Sequence, residues 1–258
     1  METLMKKTPA ETLDYGNWVA TKFIYVPGLI GLVFCGFAFL LPALVIPAGL
    51  FLLISAYFAY ARYLFAPRGK KVQEQIRALV FAHLDWDGEG QALDIGCGNG
   101  ALAIQMAKKY PQASIVGIDY WGGSWEYSQG VCERNAQVEG VGQRVTFRKA
   151  SASSLPFPDG CFDAAVSNLV FHEVADAADK RAVIREALRV VKKGGKFAFQ
   201  DLFLIEKMYG KPDDLLETVR SWGISQVAFV ETRNAPFIPA ALKLPFMVGT
   251  IGMLVGVK

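Results

Sequence analysis

The sequence predicts an α/β protein: a doubly wound, seven-stranded sheet preceded by a pair of apolar helices. Three observations carry that reading. Short apolar runs of strand length alternate with amphipathic helical runs from residue 92 to the end of the 258-residue chain. One of those strands runs directly into a turn of alternating glycines, the arrangement that brings a backbone close to a ligand. Near the N-terminus lies an uncharged stretch longer than any single helix of a soluble core requires.

That stretch comes first in the chain. No charge falls between Lys22 and Arg62, so roughly 39 positions, Phe23 to Ala61, stand against the 20 or so that span a bilayer. As one straight helix they would measure about 58 Å, nearly twice the hydrocarbon thickness. The run must fold back, and the breakers Pro42, Pro47 and Gly49 sit midway. The expected hairpin runs from about Phe23 to Leu41 and returns from about Leu50 to Phe65. Lys6, Lys7 and Lys22 before it, and Arg62, Arg68, Lys70 and Lys71 after it, place both ends in the cytoplasm. Tyr25, Tyr57, Tyr60 and Tyr63 lie near the expected interfaces. A cleaved signal peptide fits poorly, because the run is too long and starts too late. The alternative is a soluble apolar hairpin packed on the rest of the chain or used for dimerisation. The expected division is a cytoplasmic segment 1–22, a membrane hairpin 23–65 and a third domain 66–258.

Periodicity then predicts a helix over Val72 to Leu84, a strand over 92–95, a helix over 101–109 and a strand over 114–119. A helix over 125–138 follows with Ser124 as N-cap, then strands over 144–148 and 162–168 and a helix over 178–191. Gly194 and Gly195 mark a turn before a strand over 196–202. A helix from Asp213 to Trp222 and strands over 226–232 and 249–257 complete the sheet. Between the last two strands, Lys243 and three prolines in Pro236–Met247 argue against another membrane span. That segment reads either as an apolar flap resting on the bilayer beside the substrate mouth or as an ordinary buried connection.

Composition excludes several functions. A dispersed net charge of +3 argues against a nucleic-acid partner. Cys35, Cys97, Cys132 and Cys161 form no C-x-x-C pair and only His83 and His172 accompany them, so neither a zinc site nor a disulfide framework is expected. A reducing compartment is the default.

The chemistry lies in Ala92-Leu-Asp-Ile-Gly-Cys-Gly-Asn-Gly100. A dinucleotide loop spaces its glycines G-x-G-x-x-G and sets a pyrophosphate on the helix N-terminus. Here the spacing is G-x-G-x-G behind Asp94. An acid there would repel a pyrophosphate but suits a cation, and S-adenosylmethionine carries an ammonium and a sulfonium. Cofactor contacts are therefore expected from Asp94, Gly96, Cys97, Gly98, Asn99 and Gly100. About twenty residues on, Asp119 ends the second strand, where a carboxylate accepts hydrogen bonds from ribose hydroxyls. Tyr120 and Trp121 then offer flat surface beside an adenine. Alternatively Asp119 caps the next helix and the aromatics are core, but the glycine loop favours the ligand.

With L-D-I-G-C-G-N-G at 93–100, G-I-D at 117–119, L-P-F-P-D-G-C-F-D at 155–163 and E-A-L-R-V-V-K-K-G-G-K at 186–196, the chain resembles the class I, Rossmann-like S-adenosylmethionine-dependent methyltransferases. The likeness runs from about Lys70 to Lys258 and is strongest to the ubiquinone and menaquinone biosynthesis branch. It implies that Asp94, Gly96 and Gly98 line the methionine end of the cofactor and that Asp119 holds the ribose. The family commonly places an acid, in a G-D-A triplet, against the adenine amino group. This chain reads Ala150-Ser151-Ala152, so Ser151, beside Ala152, is a neutral and weaker acceptor.

Methyl transfer mainly needs alignment, which supplies on the order of 7–11 kcal/mol. A base is required only where the acceptor must lose a proton. Asn168, Phe171, His172 and Glu173 follow the fourth strand, where an acceptor would lie; Asn168 also borders the cofactor. His172 is the candidate base, oriented by a neighbouring acid, unless it and Glu173 only cap the strand. Asp201 has similar standing. Trp121, Trp125 and Tyr127 either wall the pocket or pack the following helix on the sheet. The expected function is a membrane-anchored methyltransferase of a lipophilic small-molecule or lipid acceptor, such as a prenylated quinone precursor or a headgroup amine. A methyltransferase of small hydrophobic thiols, a cofactor-binding membrane sensor or scaffold without catalysis, and a nicotinamide oxidoreductase are the alternatives.

Overall fold

In the computed structural model, which describes residues 13–122 and 127–258, seven strands form one sheet. They are β1 (Gln91–Ile95), β2 (Ser114–Asp119), β3 (Val145–Lys149), β4 (Phe162–Asn168), β5 (Val191–Asp201), β6 (Gln226–Val230) and β7 (Gly252–Val257). Their order is β3-β2-β1-β4-β5-β7-β6. All neighbours run parallel except β7, which is antiparallel to β5 and β6. The winding reverses between β1 and β4, and in such sheets ligands bind beyond the carboxyl ends of the strands at that point. Central strands covered on both faces must be apolar, and Ala92, Leu93, Asp94 and Ile95 of β1 are all buried.

The helices are α1 (Lys22–Phe37), α2 (Val45–Phe65), α3 (Val72–His83), α4 (Ala101–Lys109), α5 (Gln129–Val138), α6 (Lys180–Arg189), α7 (Glu206–Tyr209) and α8 (Pro212–Ser221). Helix α5 starts later than its periodicity suggests. Its cap is Ser128, whose Oγ accepts the Val131 N–H at 3.3 Å, while the expected cap, Ser124, lies outside the described residues. Helix α6 opens at Asp179, which accepts the Arg181 N–H at 2.9 Å. It also ends sooner than expected, because Val191 already belongs to β5. Gly194 and Gly195 do not separate helix from strand but form a bulge inside β5: Phe162 pairs with Val191, whereas Ala164 pairs with Lys196. A side chain on Gly195 would meet Val191 Cγ1 at 2.8 Å.

The chain divides into two compact units. Of the described residues, the sheet unit holds 13–16, 80–231 and 251–258, and the other holds 17–79 and 232–250. In the sheet unit the core is aromatic, with Phe171, Phe197, Phe199, Phe203 and Tyr209 buried around β5. Arg189 locks the chain that leads into β4. Its guanidinium donates to the carbonyls of Leu155 and Phe157 at 3.1 and 2.9 Å and forms a two-pronged pair with Glu186. Glu186 in turn accepts the Leu155 N–H at 2.7 Å. The motifs at 155–163 and 186–196 therefore meet as one brace.

In the other unit, α1 and α2 pack as a hairpin along a seam of small residues. A Cβ on Gly31 would lie 2.9 Å from Leu52, and Ser55 Oγ donates to the Ile24 carbonyl at 2.8 Å. Phe23 stacks on Phe58 and Phe34 on Phe51. The turn comes earlier than the breakers suggest, because α1 stops at Phe37 and α2 starts at Val45 after a short 3-10 turn, Pro42–Leu44. Pro47 falls in the first turn of α2, where the missing N–H has no helical partner to lose, so the helix runs through it. Among the described residues one helical stretch, the 24 residues Pro42–Phe65, is long and apolar enough to cross a membrane. Helix α1, with 16 residues, is shorter than that.

Replacing Arg189 by Ala strands two loop carbonyls and the Glu186 carboxylate and releases the exposed Asp159, so chemical denaturation of the variant should show a loss of about 1–3 kcal/mol.

Candidate functional site

Three glycines shape the loop between β1 and α4. Gly96, Gly98 and Gly100 have φ of +73°, +57° and +81°, values that side chains rarely adopt. Gly96 is further required by space, since a Cβ there would lie 2.1 Å from Val170 Cγ2. Val170 reaches that position because Leu169 turns the chain through φ +58° at the end of β4.

Gly98 is the hub. Its N–H donates to Asp119 Oδ2 at 2.8 Å, and its carbonyl accepts from Trp121 Nε1 at 2.8 Å and Cys132 Sγ at 3.0 Å. The other Asp119 oxygen accepts the Trp121 N–H at 2.9 Å. Burial pushes the Asp119 carboxyl up, and these backbone donors pull it back. Trp121 is thereby a clamp on the loop and not the free face expected of it. Tyr120 is the open ring: it is 64% exposed, with the Lys149 ammonium 5.1 Å from its centroid. The ring of Tyr127 lies against Gly98 on one side and Gly16 on the other. Trp125 lies outside the described residues.

The remaining loop residues divide by role. Asp94 is buried, and its carboxylate accepts the Ala103 N–H at 2.9 Å in the first turn of α4. Its charge is thus tied to the helix N-terminus, where an anion is favourable. Cys97 turns its thiol inward toward Cys132, and burial pushes that thiol well up, so only its backbone belongs to the loop. Gly100 caps α4. Asn99 is buried; its Oδ1 accepts the Ser128 N–H at 3.2 Å and its carbonyl accepts from Asn135 Nδ2 at 3.0 Å. Among the described residues its own Nδ2, closed off from solvent, has no hydrogen-bond partner.

At the end of β3, Ala152 belongs to the core and Ser151 does not stand alone. Ser151 Oγ donates to Asp176 at 2.9 Å, and Ser153 Oγ donates to the same carboxylate at 2.6 Å. These two hydroxyls hold the Asp176 carboxyl below its ordinary range. Asp176 arrives from the loop after β4, 25 residues away in sequence, and no local pattern marks it.

On the other side of the loop, Gln200 Nε2 donates to Asn168 Oδ1 at 2.7 Å and fixes that amide. Phe171 is fully buried against Phe199 and Phe203, so it supports the site and does not face an acceptor. His172 and Asp201 meet, with Nδ1 and Oδ1 2.5 Å apart. Asp201 is fully buried and also accepts the N–H groups of Val170, His172 and Leu202. Burial of the imidazole opposes its charge, but Asp201 and then Glu173 outweigh that, and the His172 pKa is pushed up to about 9. At neutral pH the ring is therefore an imidazolium, which is poorly placed to take a proton.

Residues 93–199 match the family described as Methyltransferase domain. This segment is similar to the methyltransferase domains of S-adenosylmethionine-dependent enzymes. Over 141 residues the chain is 37% identical to 27-O-demethylrifamycin SV methyltransferase of Amycolatopsis mediterranei, covering 54% of this chain and 47% of that protein. Over 206 residues it is 29% identical to the ubiquinone/menaquinone biosynthesis C-methyltransferase UbiE of Desulfotalea psychrophila, covering 70% of this chain and 79% of that one. The solved geranyl diphosphate C-methyltransferase of Streptomyces coelicolor has the same fold, with a TM-score of 0.56 at 13% identity over 73% of this chain and 80% of that one. The chain spans only 47% of the first relative's length.

The residues present fit the cofactor. The half-buried Asp119 carboxylate keeps lone pairs for ribose hydroxyls beyond the Gly98 and Trp121 N–H groups it accepts.

Gly96→Ala should weaken S-adenosylhomocysteine binding by at least ~10-fold in calorimetry, and adding Val170→Ala should recover part of it. The His172 pKa stands above its ordinary 6.5, so the pair's stabilisation is complete below pH 6.5 and is lost as pH rises through about 9. The melting temperature should fall between pH 7 and 10, and His172→Gln should flatten that fall.

Proposed function

We propose that this chain is a membrane-anchored methyltransferase that passes the methyl group of S-adenosylmethionine to a lipophilic acceptor. The observation that carries it is the joining of a methyltransferase domain to a hairpin whose apolar turn faces outward. Phe39 is 92% exposed, Leu40 83% and Ile46 79%. Water penalises such a surface, and lipid removes the penalty. The division follows as a cytoplasmic segment 1–22, a membrane hairpin 23–65 and a catalytic domain 66–258, with both hairpin ends on the cytoplasmic side. Relatives named for quinone and rifamycin methylation support an acceptor of lipophilic character.

Bound S-adenosylmethionine supplies an electrophilic methyl group that already carries its own leaving group. The protein's part is to hold and align. Asp119 takes the ribose hydroxyls, Tyr120 stacks on the adenine, and Asn99 shapes the loop at the methionine end. Gly96 and Gly98 let the backbone approach, and Asp94 keeps α4 in place behind them. Ser151 and Ser153 steady Asp176, which supplies next to Ser151 the negative charge that the resemblance places at that position. Asn168 and His172 border the acceptor. With Nδ1 held by Asp201, His172 acts as a cation that favours an ionised oxygen on the acceptor and not as the base that removes its proton.

Asp119→Ala should abolish S-adenosylhomocysteine binding, and Asp176→Asn should weaken it about 10-fold, roughly the difference between a charged and a neutral acceptor. Full-length protein in detergent, given labelled cofactor and a lipid extract, should yield one lipophilic labelled product identified by mass. Tight cofactor binding with no labelled product would favour the sensor or scaffold. Turnover should fall as pH rises through about 9, and His172→Gln should lower it without changing cofactor affinity; a rate rising to a plateau above that pH would restore the base.

A further inference from the structure

The 19 residues between β6 and β7 that fall in the hairpin's unit, Thr232–Thr250, have no part in the chemistry above. Their mean surface is neither core nor ordinary loop. Ile238, Leu242 and Val248 are buried, while Lys243, Leu244, Pro245 and Phe246 form one exposed knuckle, Phe246 being 66% exposed. The knuckle is a folded object. Lys243 N–H donates to Ala240, Met247 and Gly249 N–H donate to Leu244, and Val248 N–H donates to Leu242, at 2.9–3.1 Å. Pro245 carries no N–H at all. Gly249 closes the turn where a Cβ would lie 2.3 Å from the Lys243 carbonyl. With the N–H groups of Lys243, Met247, Val248 and Gly249 met internally, the loop enters an apolar medium at less cost than an open one.

Its place is set by α2. Tyr57 Oη donates to the Ala241 carbonyl at 2.9 Å, and the rings of Tyr57 and Phe58 lie 6.0 and 6.5 Å from that of Phe246. Phe58 stacks on Phe23 at 5.3 Å, and the Lys22 ammonium lies 5.6 Å from the Phe23 centroid. Phe246 therefore continues an aromatic cluster at the end of the hairpin where Lys22 begins α1. Aromatic rings beside lysines are the side chains that settle at the headgroup level of a bilayer, and two exposed cations there suit anionic lipid.

We propose that this knuckle is a third membrane-contacting element, with Leu244, Pro245 and Phe246 dipping into the cytoplasmic leaflet and Lys243 and Lys22 at the phosphates. The inference rests on the membrane reading of the hairpin. The test separates the two. Full-length protein is placed in nanodiscs of phosphatidylcholine and phosphatidylglycerol, with p-benzoylphenylalanine at one position: Phe246, the neighbouring Leu244, Leu53 on the exposed face of α2, or Glu217 on α8. After irradiation, mass spectrometry should find lipid adducts at 53 and at 246 or 244, and none at 217. Lipid at 53 without lipid at 246 and 244 would overturn the knuckle's role and leave the hairpin in the bilayer. No lipid at 53 would overturn the membrane reading itself. Circular dichroism and S-adenosylhomocysteine affinity matching the unlabelled protein confirm that each variant is folded.

Discussion

The carboxylate of Asp119 spans two backbone donors, Gly98 N–H in one loop and Trp121 N–H in the next. Everything else at the site is arranged around that bridge. The main chain joins the two turns at their root, where the Ile118 carbonyl accepts the Gly96 and Cys97 N–H groups at 2.8 and 2.9 Å; a link further out needs a side chain. Asp119 supplies the link, and the Trp121 indole returns a second hydrogen bond to the Gly98 carbonyl. The glycines can then keep their positive φ values because the structure around them over-determines the loop. Asp94, buried beneath it and tied to Ala103, fixes where α4 begins and so fixes the far end of the same loop.

The hairpin obeys a different constraint. On the proposed membrane reading, lipid offers no hydrophobic drive for two apolar helices to associate, and close contact has to come from small residues and a few polar bonds. Gly31 against Leu52 and Ser55 against the Ile24 carbonyl supply both. At the base of the same unit the contacts become polar. Asn17 donates to the Arg62 carbonyl at 3.0 Å, Arg62 donates back to the Val19 carbonyl, and Trp18 N–H donates to Gln73. The hairpin's contacts are thus apolar along its length and polar at its root, and the membrane proposal draws on that change.

Helix 101–109 and strands 114–119 and 162–168 were legible to the residue, because their apolar runs are strong and Gly100 and Asp119 mark ends of the first two. What periodicity cannot show is a bond between distant turns. Pro47 reads as a breaker in any linear scan, yet its meaning depends on whether it falls in the first turn or later. Gly194 and Gly195 read as a turn, yet the partner strand makes them a bulge. At the site, the glycine loop and Asp119 were visible because their spacing is local. Asp176 was not, because nothing near it in sequence links it to Ser151, and Trp121 took a different part because its indole finds a carbonyl across the loop.

The motifs that make the resemblance do not all speak to chemistry. Those at 93–100 and 117–119 build the ligand loop itself. Those at 155–163 and 186–196 meet through Arg189 and Glu186, which bond to Leu155 and Phe157 and touch none of the site residues. Their retention here argues for the fold, since the brace positions the entry to β4 and hence Asn168 and His172 at its other end. A chain could keep the brace and lose the activity. The decisive residues are therefore those whose polar atoms the fold does not use up and a ligand can reach: the half-buried Asp119 carboxylate accepts the Gly98 and Trp121 N–H groups and keeps lone pairs for further donors. That spare capacity is a physical reason, independent of likeness, to place a ligand with hydroxyl donors in this loop.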